Sequence, residues 1–457
     1  MDFSNANTQL WAMFIWAGVI AVLLLVANIL TRKIAFVRKS LIPVAALAGF
    51  LLLILRSVGW LNVPMVLLEM VTYHGIALGF IALTLRTTKE GTGGMFAFKA
   101  GALIVSTYLV QAIIGLLISA ILFYTVLPDF FPAAGILLPM AFGQGPGQAN
   151  NVGSSYEAMG FAGGRSFALS LAAVGYLVAC LVGIWYTRRV IRRRNLSPAD
   201  QPLVSGSVTV DAFQDRNEVP VSESVDRLSM QVALILVTYL LTFLATRAIA
   251  GLVSSAAPGF ANMFVPLLWG FNFITGSLMA MAVKAVLTGL RRSGAMTRQY
   301  QNNYLLNRLS GLAFDLMIVA GIASINIADM RGLWLPFLLM ALTGGAATYW
   351  YLKKLTPILA PGFADESFVA MYGMLTGTIS SGILPLRQID PEFKTPAADQ
   401  LVVGSGTGIL FGAPILILIS LAPTSQGMLW LTIGLCAVYL ALLLVFLLGR
   451  KLLRKAK

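Results

Sequence analysis

The sequence predicts an all-α polytopic membrane protein made of two inverted-topology repeats, each with a Gly-rich re-entrant hairpin, and about 11 transmembrane helices in all. Three observations carry that reading. Of 457 residues, 58% are hydrophobic and 11% charged, whereas soluble domains carry roughly 25% charged residues; the mean hydropathy is +0.84. The net charge of +14 is gathered at the ends of apolar runs: Arg32, Lys33, Arg38 and Lys39; Arg188, Arg189 and residues 192–194; Arg450, Lys451, Arg454, Lys455 and Lys457. That is the positive-inside distribution, and it calls for no nucleic acid. Two polar, glycine-rich interruptions, residues 140–153 (MAFGQGPGQANNVG) and 373–388 (GMLTGTISSGILPLRQ), fall at matching places in the two halves.

In chain order, residues 10–30 are long enough to span, and the basic loop 31–39 belongs in the cytoplasm, which puts the N-terminus outside. The first run lacks a basic leader and a small-residue cleavage site, so it reads as a retained helix. Residues 41–55 return outward to Trp60, an interfacial anchor; 64–85 run inward to Arg86 and Lys89; 99–127 run outward to the turn at 128–132. Residues 166–187 meet the densest arginine run and therefore end inside. An even number of crossings must then separate 132 from 165, and a hairpin entering from outside satisfies that count. Residues 195–227, rich in Ser, Pro, Asp and Val, form a cytoplasmic linker.

The second half repeats the order with spans at 228–252, 262–287, 309–327 and 333–352, then the second interruption and a span at 401–422. The basic tail places the C-terminus inside, so 429–448 run inward as an additional helix and the second hairpin enters from the cytoplasm. The chain thus divides into a first repeat, 1–194, with its hairpin near 133–160; the linker; and a second, inverted repeat, 228–457, with its hairpin near 365–395. Two interruptions facing each other in inverted halves are the layout of alternating access. The bland alternative is a pair of extramembrane Gly-rich loops.

The interruptions supply the candidate binding groups. In the first these are Gly143, Gln144, Gly145, Gly147, Gln148, Asn150 and Asn151; in the second, Thr376, Thr378, Ser380 and Ser381. Broken-helix N-termini offer free N–H groups and partial positive charge to a carboxylate, and unwound carbonyls suit Na⁺. Arg387 is a candidate partner for a second substrate carboxylate, or else a surface anchor; Arg165 reads as a hairpin-mouth residue. Asp315, within an apolar run, is a candidate cation ligand or proton carrier, or an ion-pair partner of Arg247. His74 reads as a packing residue or a proton or substrate contact, and lies five residues from Glu69, off its face. Lys284 is expected to snorkel. Cys180 and Cys436 read as packing residues, not a disulfide. Residues 404–408 (GSGTG) follow no strand and lack the Lys-Ser/Thr ending of a phosphate loop, so they are expected to pack against a hairpin.

At these residues the chain resembles the bacterial glutamate–sodium symporter family, whose first hairpin reads Gly-Gly-His-Gly-Thr-Gly where this chain has Gly143-Gln144-Gly145-Pro146-Gly147-Gln148. Residues 42–45 (IPVA) are similar to the family's Ile-Pro-Glu-Pro stretch, and 73–83 to its Phe-Phe-x-x-Ile-Gly-Leu helix. The family's histidine is absent and the helix at 429–448 is extra. The resemblance implies Na⁺-coupled symport of glutamate or a related amino acid or organic anion, a homodimer, and a multi-pass protein of the bacterial inner membrane. An ion-independent or H⁺-coupled organic-anion permease and a passive channel are the alternatives. A membrane-embedded enzyme is the remote one: with a single histidine and no Cys/His cluster there is little catalytic equipment, and no cofactor is expected.

Overall fold

The computed structural model describes residues 8–87, 94–194, 227–296, 298–391 and 394–455, and among them the regular structure is helical, without strands. The first half runs α1 (Thr8–Lys33), α2 (Ala35–Lys39), α3 (Val44–Ser57), α4 (Met65–Leu85), α5 (Gly94–Thr125), a tight turn at Pro132–Ile136, α6 (Leu137–Phe142), α7 (Pro146–Ala158) and α8 (Gly164–Arg194). The second runs α9 (Arg227–Ala256), α10 (Pro258–Gly270), α11 (Asn272–Arg292), α12 (Asn303–Ala323), α13 (Trp334–Leu359), α14 (Ala364–Thr376), α15 (Ile379–Ile389), α16 (Ala397–Leu421) and α17 (Gln426–Lys455).

Ten of these helices are long and apolar enough to cross a membrane. The chain is a polytopic α-helical membrane protein. The outer helices α1, α9 and α17 leave most of their apolar surface uncovered, as lipid-facing helices do. Arginine and lysine fill the last turns of α1, α8 and α11, where they complement the helix dipole and reach the polar interface.

Two expected spans differ. Residues 41–55 give a helix of only 14 residues, α3, about 21 Å long at 1.5 Å per residue. Pro43 at its N-cap and Leu41, at φ +54°, keep the preceding residues unwound. Residues 262–287 are not one helix: the chain breaks at Phe271, between α10 and α11. The linker expected at 195–227 lies outside the described residues up to Arg227, which begins α9.

Packing sorts the helices into two groups. In the first, α4 and α12 cross along their length, flanked by α3 and α11, with α1, α9 and α10 outside them. In the second, α5 packs on α13, α16 and α17, and α8 packs on α6, α7, α14 and α15. Each group draws helices from both halves of the chain. Small residues permit the closest approaches. A Cβ on Gly404 would lie 2.9 Å from that of Ala100, and Thr407 on α16 donates to the Ala97 carbonyl of α5 at 2.6 Å. Residues 404–408 thus pack closely on α5, as helix association without a hydrophobic drive favours, and Ser405 also reaches Met374 Sδ of α14 at 3.7 Å. The groups meet mainly through α7, which touches α4, α10 and α12.

Candidate functional site

The first interruption is a true helix break. α6 ends at Phe142; Gly143, Gln144 and Gly145 turn the chain, and Pro146 opens α7 at a position that needs no N–H. Gly145, at φ +78° and ψ −171°, occupies backbone space that is essentially glycine's alone. No side chain caps α7, so the amides of Gly147 and Gln148 at its first turn lack intrahelical partners. Tyr108 of α5 steadies the turn by donating to the Gly143 carbonyl at 3.0 Å.

The second interruption lies against the first. α14 ends at Thr376, Gly377 leaves the helix at φ −147° and ψ −100°, and the extended Thr378 leads into α15, again without a side-chain cap. Gln111 of α5 donates to the Leu375 carbonyl at 2.9 Å and to Thr348 of α13 at 2.9 Å, satisfying one orphan carbonyl at the end of α14. A Cβ on Gly145 would stand 3.4 Å from Thr378 Cγ2 and 3.6 Å from the Gly377 carbonyl. The hydroxyls of Tyr176, on α8, and Thr378 face each other there, short of a hydrogen bond. Ser381, buried, directs its unpartnered hydroxyl at Gly377.

Both breaks open on one cleft, with a cavity volume of about 110 Å³, between the two helix groups. Gly143 and Gln144 line it from the first break, and Gly377, Thr378, Ile379 and Ser380 from the second. Ser405 and Gly408 of α16 complete the polar side. Opposite stand Phe80 of α4, Phe271 at the α10–α11 break, Phe273 of α11 and Phe314 of α12. Phe80 packs on Phe273 at 5.0 Å and on Phe314 at 5.3 Å between ring centroids, so the four rings form one aromatic wall with Phe271.

Of the other expected residues, Gly147 lets α7 cross α4 and α12, against Ile76 and Met317. Gln148, Asn150 and Asn151 are buried within α7 and do not line the cleft. Asn151 donates to the Gly270 carbonyl at 2.6 Å. Tyr73 donates to the Trp269 carbonyl at 2.9 Å. These two contacts satisfy carbonyls freed by the break at Phe271. Thr376 is buried and donates to the Tyr372 carbonyl within its own helix. Arg387 is exposed in the last turn of α15, eight residues from the break, about 12 Å along the axis.

Asp315 lies between two cleft residues of α12, Phe314 and Met317, half-buried and within electrostatic reach of Tyr176. Asp315 and Arg247 form no ion pair; the described pairs join Arg165 to Glu69 and Arg193 and Arg194 to Asp365 and Glu366. His74 contacts the Tyr239 hydroxyl at 2.6 Å. Lys284 donates to the Arg86 carbonyl at 2.6 Å. Both cysteines are buried and free.

Sequence reasoning missed two charged clusters, at opposite ends of α8. At its start Arg165 pairs with Glu69 while its amide donates to Glu157 of α7 at 3.2 Å; Ser166 donates to Asp329 at 2.9 Å. Burial, with the nearby Asp329 carboxylate, raises the Glu157 carboxyl above its usual value despite the Arg165 amide. At the other end Tyr186 donates to Asp365 at 2.7 Å, beside Arg193, Arg194 and Lys353. Burial pushes the Asp365 carboxyl up, but the Tyr186 hydroxyl and the two guanidiniums hold it below its usual value. Each cluster ties α8 to the outer end of one broken-helix pair, at positions far apart in sequence. No model of a known protein family matches the chain, and no curated protein matches it.

Proposed function

We propose that this protein is a secondary active transporter that carries a small organic anion across the membrane by alternating access, with Na⁺ as the coupling ion. The observation that carries this reading is the meeting of two uncapped helix breaks, one from each half of the chain, at one cleft between two helix groups. On this reading α6–α7 and α14–α15 are re-entrant hairpins, and the two halves are inverted repeats. The packing supports the repeat: α3 on α12 mirrors α11 on α4, α1 on α3 mirrors α9 on α11, and α4–α12 and α5–α13 are self-paired. The free amides at the start of α15 take a carboxylate, and carbonyls at the breaks, with Asp315, offer the oxygen ligands a hard cation needs.

The resemblance to the glutamate–sodium symporters adds glutamate as the reference substrate, a homodimeric assembly and a bacterial inner-membrane setting with the C-terminus in the cytoplasm. A second reading, H⁺ in place of Na⁺, is favoured by Asp315, a half-buried carboxyl beside the cleft without an ion pair. The test is uptake of labelled organic anions, glutamate among them, into proteoliposomes under an inward Na⁺ or H⁺ gradient. Accumulation that collapses with the gradient supports the proposal. Flux that only follows the solute's own gradient would make the protein a passive pore, and conversion of the solute would make it an enzyme.

A further inference from the structure

The walls of the cleft define the solute more narrowly, on the reading that the cleft is a transport site. Its polar pole consists of Gln144, Thr378 and Ser380 with the uncapped start of α15; Ser381 beneath is buried and its hydroxyl lacks a partner. That pole can hold one carboxylate through amides and hydroxyls. Apart from Ser405 and the glycines, the rest of the lining is aliphatic, aromatic or methionine, and the far side is the wall of Phe80, Phe273 and Phe314. No charged side chain lines the cleft among the described residues. Arg387 sits in the last turn of α15, away from the break, and Arg165 is paired with Glu69 at the start of α8; neither lines the cleft.

We infer that the cleft selects a monocarboxylate whose remaining body is apolar and ring-bearing or branched, and rejects dicarboxylates such as glutamate. A second carboxylate against the phenylalanines would be desolvated without a partner, a penalty that burial of its methylenes does not offset. An ammonium group lacks a lining carboxylate as well, so the oxo acid is preferred to the corresponding amino acid. An aromatic body, by contrast, gains both area and edge-to-face contacts with Phe80 and Phe314.

The decisive comparison is between phenylpyruvate and oxoglutarate, two oxo acids that share the carboxylate end and differ in the body. Binding of each to the purified full-length protein, with Na⁺ present, is measured by calorimetry alongside phenylalanine and glutamate. Phenylpyruvate is expected to bind at least about tenfold more tightly than oxoglutarate, a ratio within reach of a pocket that rejects a buried charge. Phe314→Ala should remove that preference, whereas Ser380→Ala should weaken both acids alike. If Phe314→Ala does not fold, the wild-type ratio decides alone. Equal or tighter binding of oxoglutarate or glutamate, or no binding of phenylpyruvate, overturns the inference. Flux separates it from the transport reading: phenylpyruvate that binds selectively but does not cross proteoliposomes leaves the assignment of the cleft standing and removes the transporter. Gradient-driven glutamate uptake does the reverse.

Discussion

Gly145→Ala isolates the geometry of the first break. The added Cβ has room, its nearest neighbour being Thr378 Cγ2 at 3.4 Å, so crowding is not the obstacle. The backbone is: φ +78° with ψ −171° is a conformation that residues with a Cβ avoid, at a cost of about 1–3 kcal/mol. If the broken conformation binds solute, that cost lowers its population roughly 5- to 150-fold relative to a relaxed tip. Uptake should fall by a comparable factor, while solute no longer raises the melting temperature. Gly289→Ala and Gly434→Ala are the controls, since a Cβ at either helical position meets nothing within 4 Å. They should be neutral or stabilising by up to about 1 kcal/mol. Gly145→Ala with wild-type uptake and wild-type solute protection would refute the claim that the tip must hold this conformation.

Three further outcomes are expected. Gln111→Leu removes the donor to the Leu375 carbonyl, and melting should report a loss of about 1–3 kcal/mol, the cost of an unsatisfied buried acceptor. Glu157, whose raised carboxyl favours the neutral form in the folded protein, contributes stability that is complete below its unfolded value, near 4.5, and is lost as pH rises through the higher folded value. Glu157→Gln should therefore melt at a temperature less dependent on pH than wild type, with its gain on the alkaline side; parallel curves would refute this. Asp315→Asn should weaken activation by the coupling ion more than affinity for the solute, as read from ion-titrated uptake, and unchanged ion dependence would leave Asp315 without a coupling role.

The two breaks at 143–145 and 377–378 were legible because glycine, proline and amides cannot continue a helix among apolar neighbours. The break at Phe271 was not. Its sequence, Trp269-Gly270-Phe271-Asn272, is mostly apolar, and the groups that satisfy its carbonyls, Tyr73 and Asn151, come from elsewhere in the chain. The aromatic wall was hidden for a related reason: in a membrane protein a phenylalanine facing lipid and one facing a cleft look alike in sequence, because both surroundings are apolar. Arg387 drew notice as a cation near a break, but helical rise carries it to the far end of α15. The clusters at the two ends of α8 join residues such as Glu69 with Arg165 and Arg194 with Asp365, and only folding places them together.

The central claim, that the paired breaks form one solute site, is tested most directly by chemical protection at that site. In a background carrying Cys180→Ser and Cys436→Ser, single Gln144→Cys and Ser380→Cys variants place a thiol on the cleft lining from each break. The rate of modification by a small charged thiosulfonate is then followed with and without the transported solute and its coupling ion. The account predicts that solute with ion slows both reactions together, since one ligand covers both tips. Solute uptake that proceeds normally while neither rate changes would contradict it.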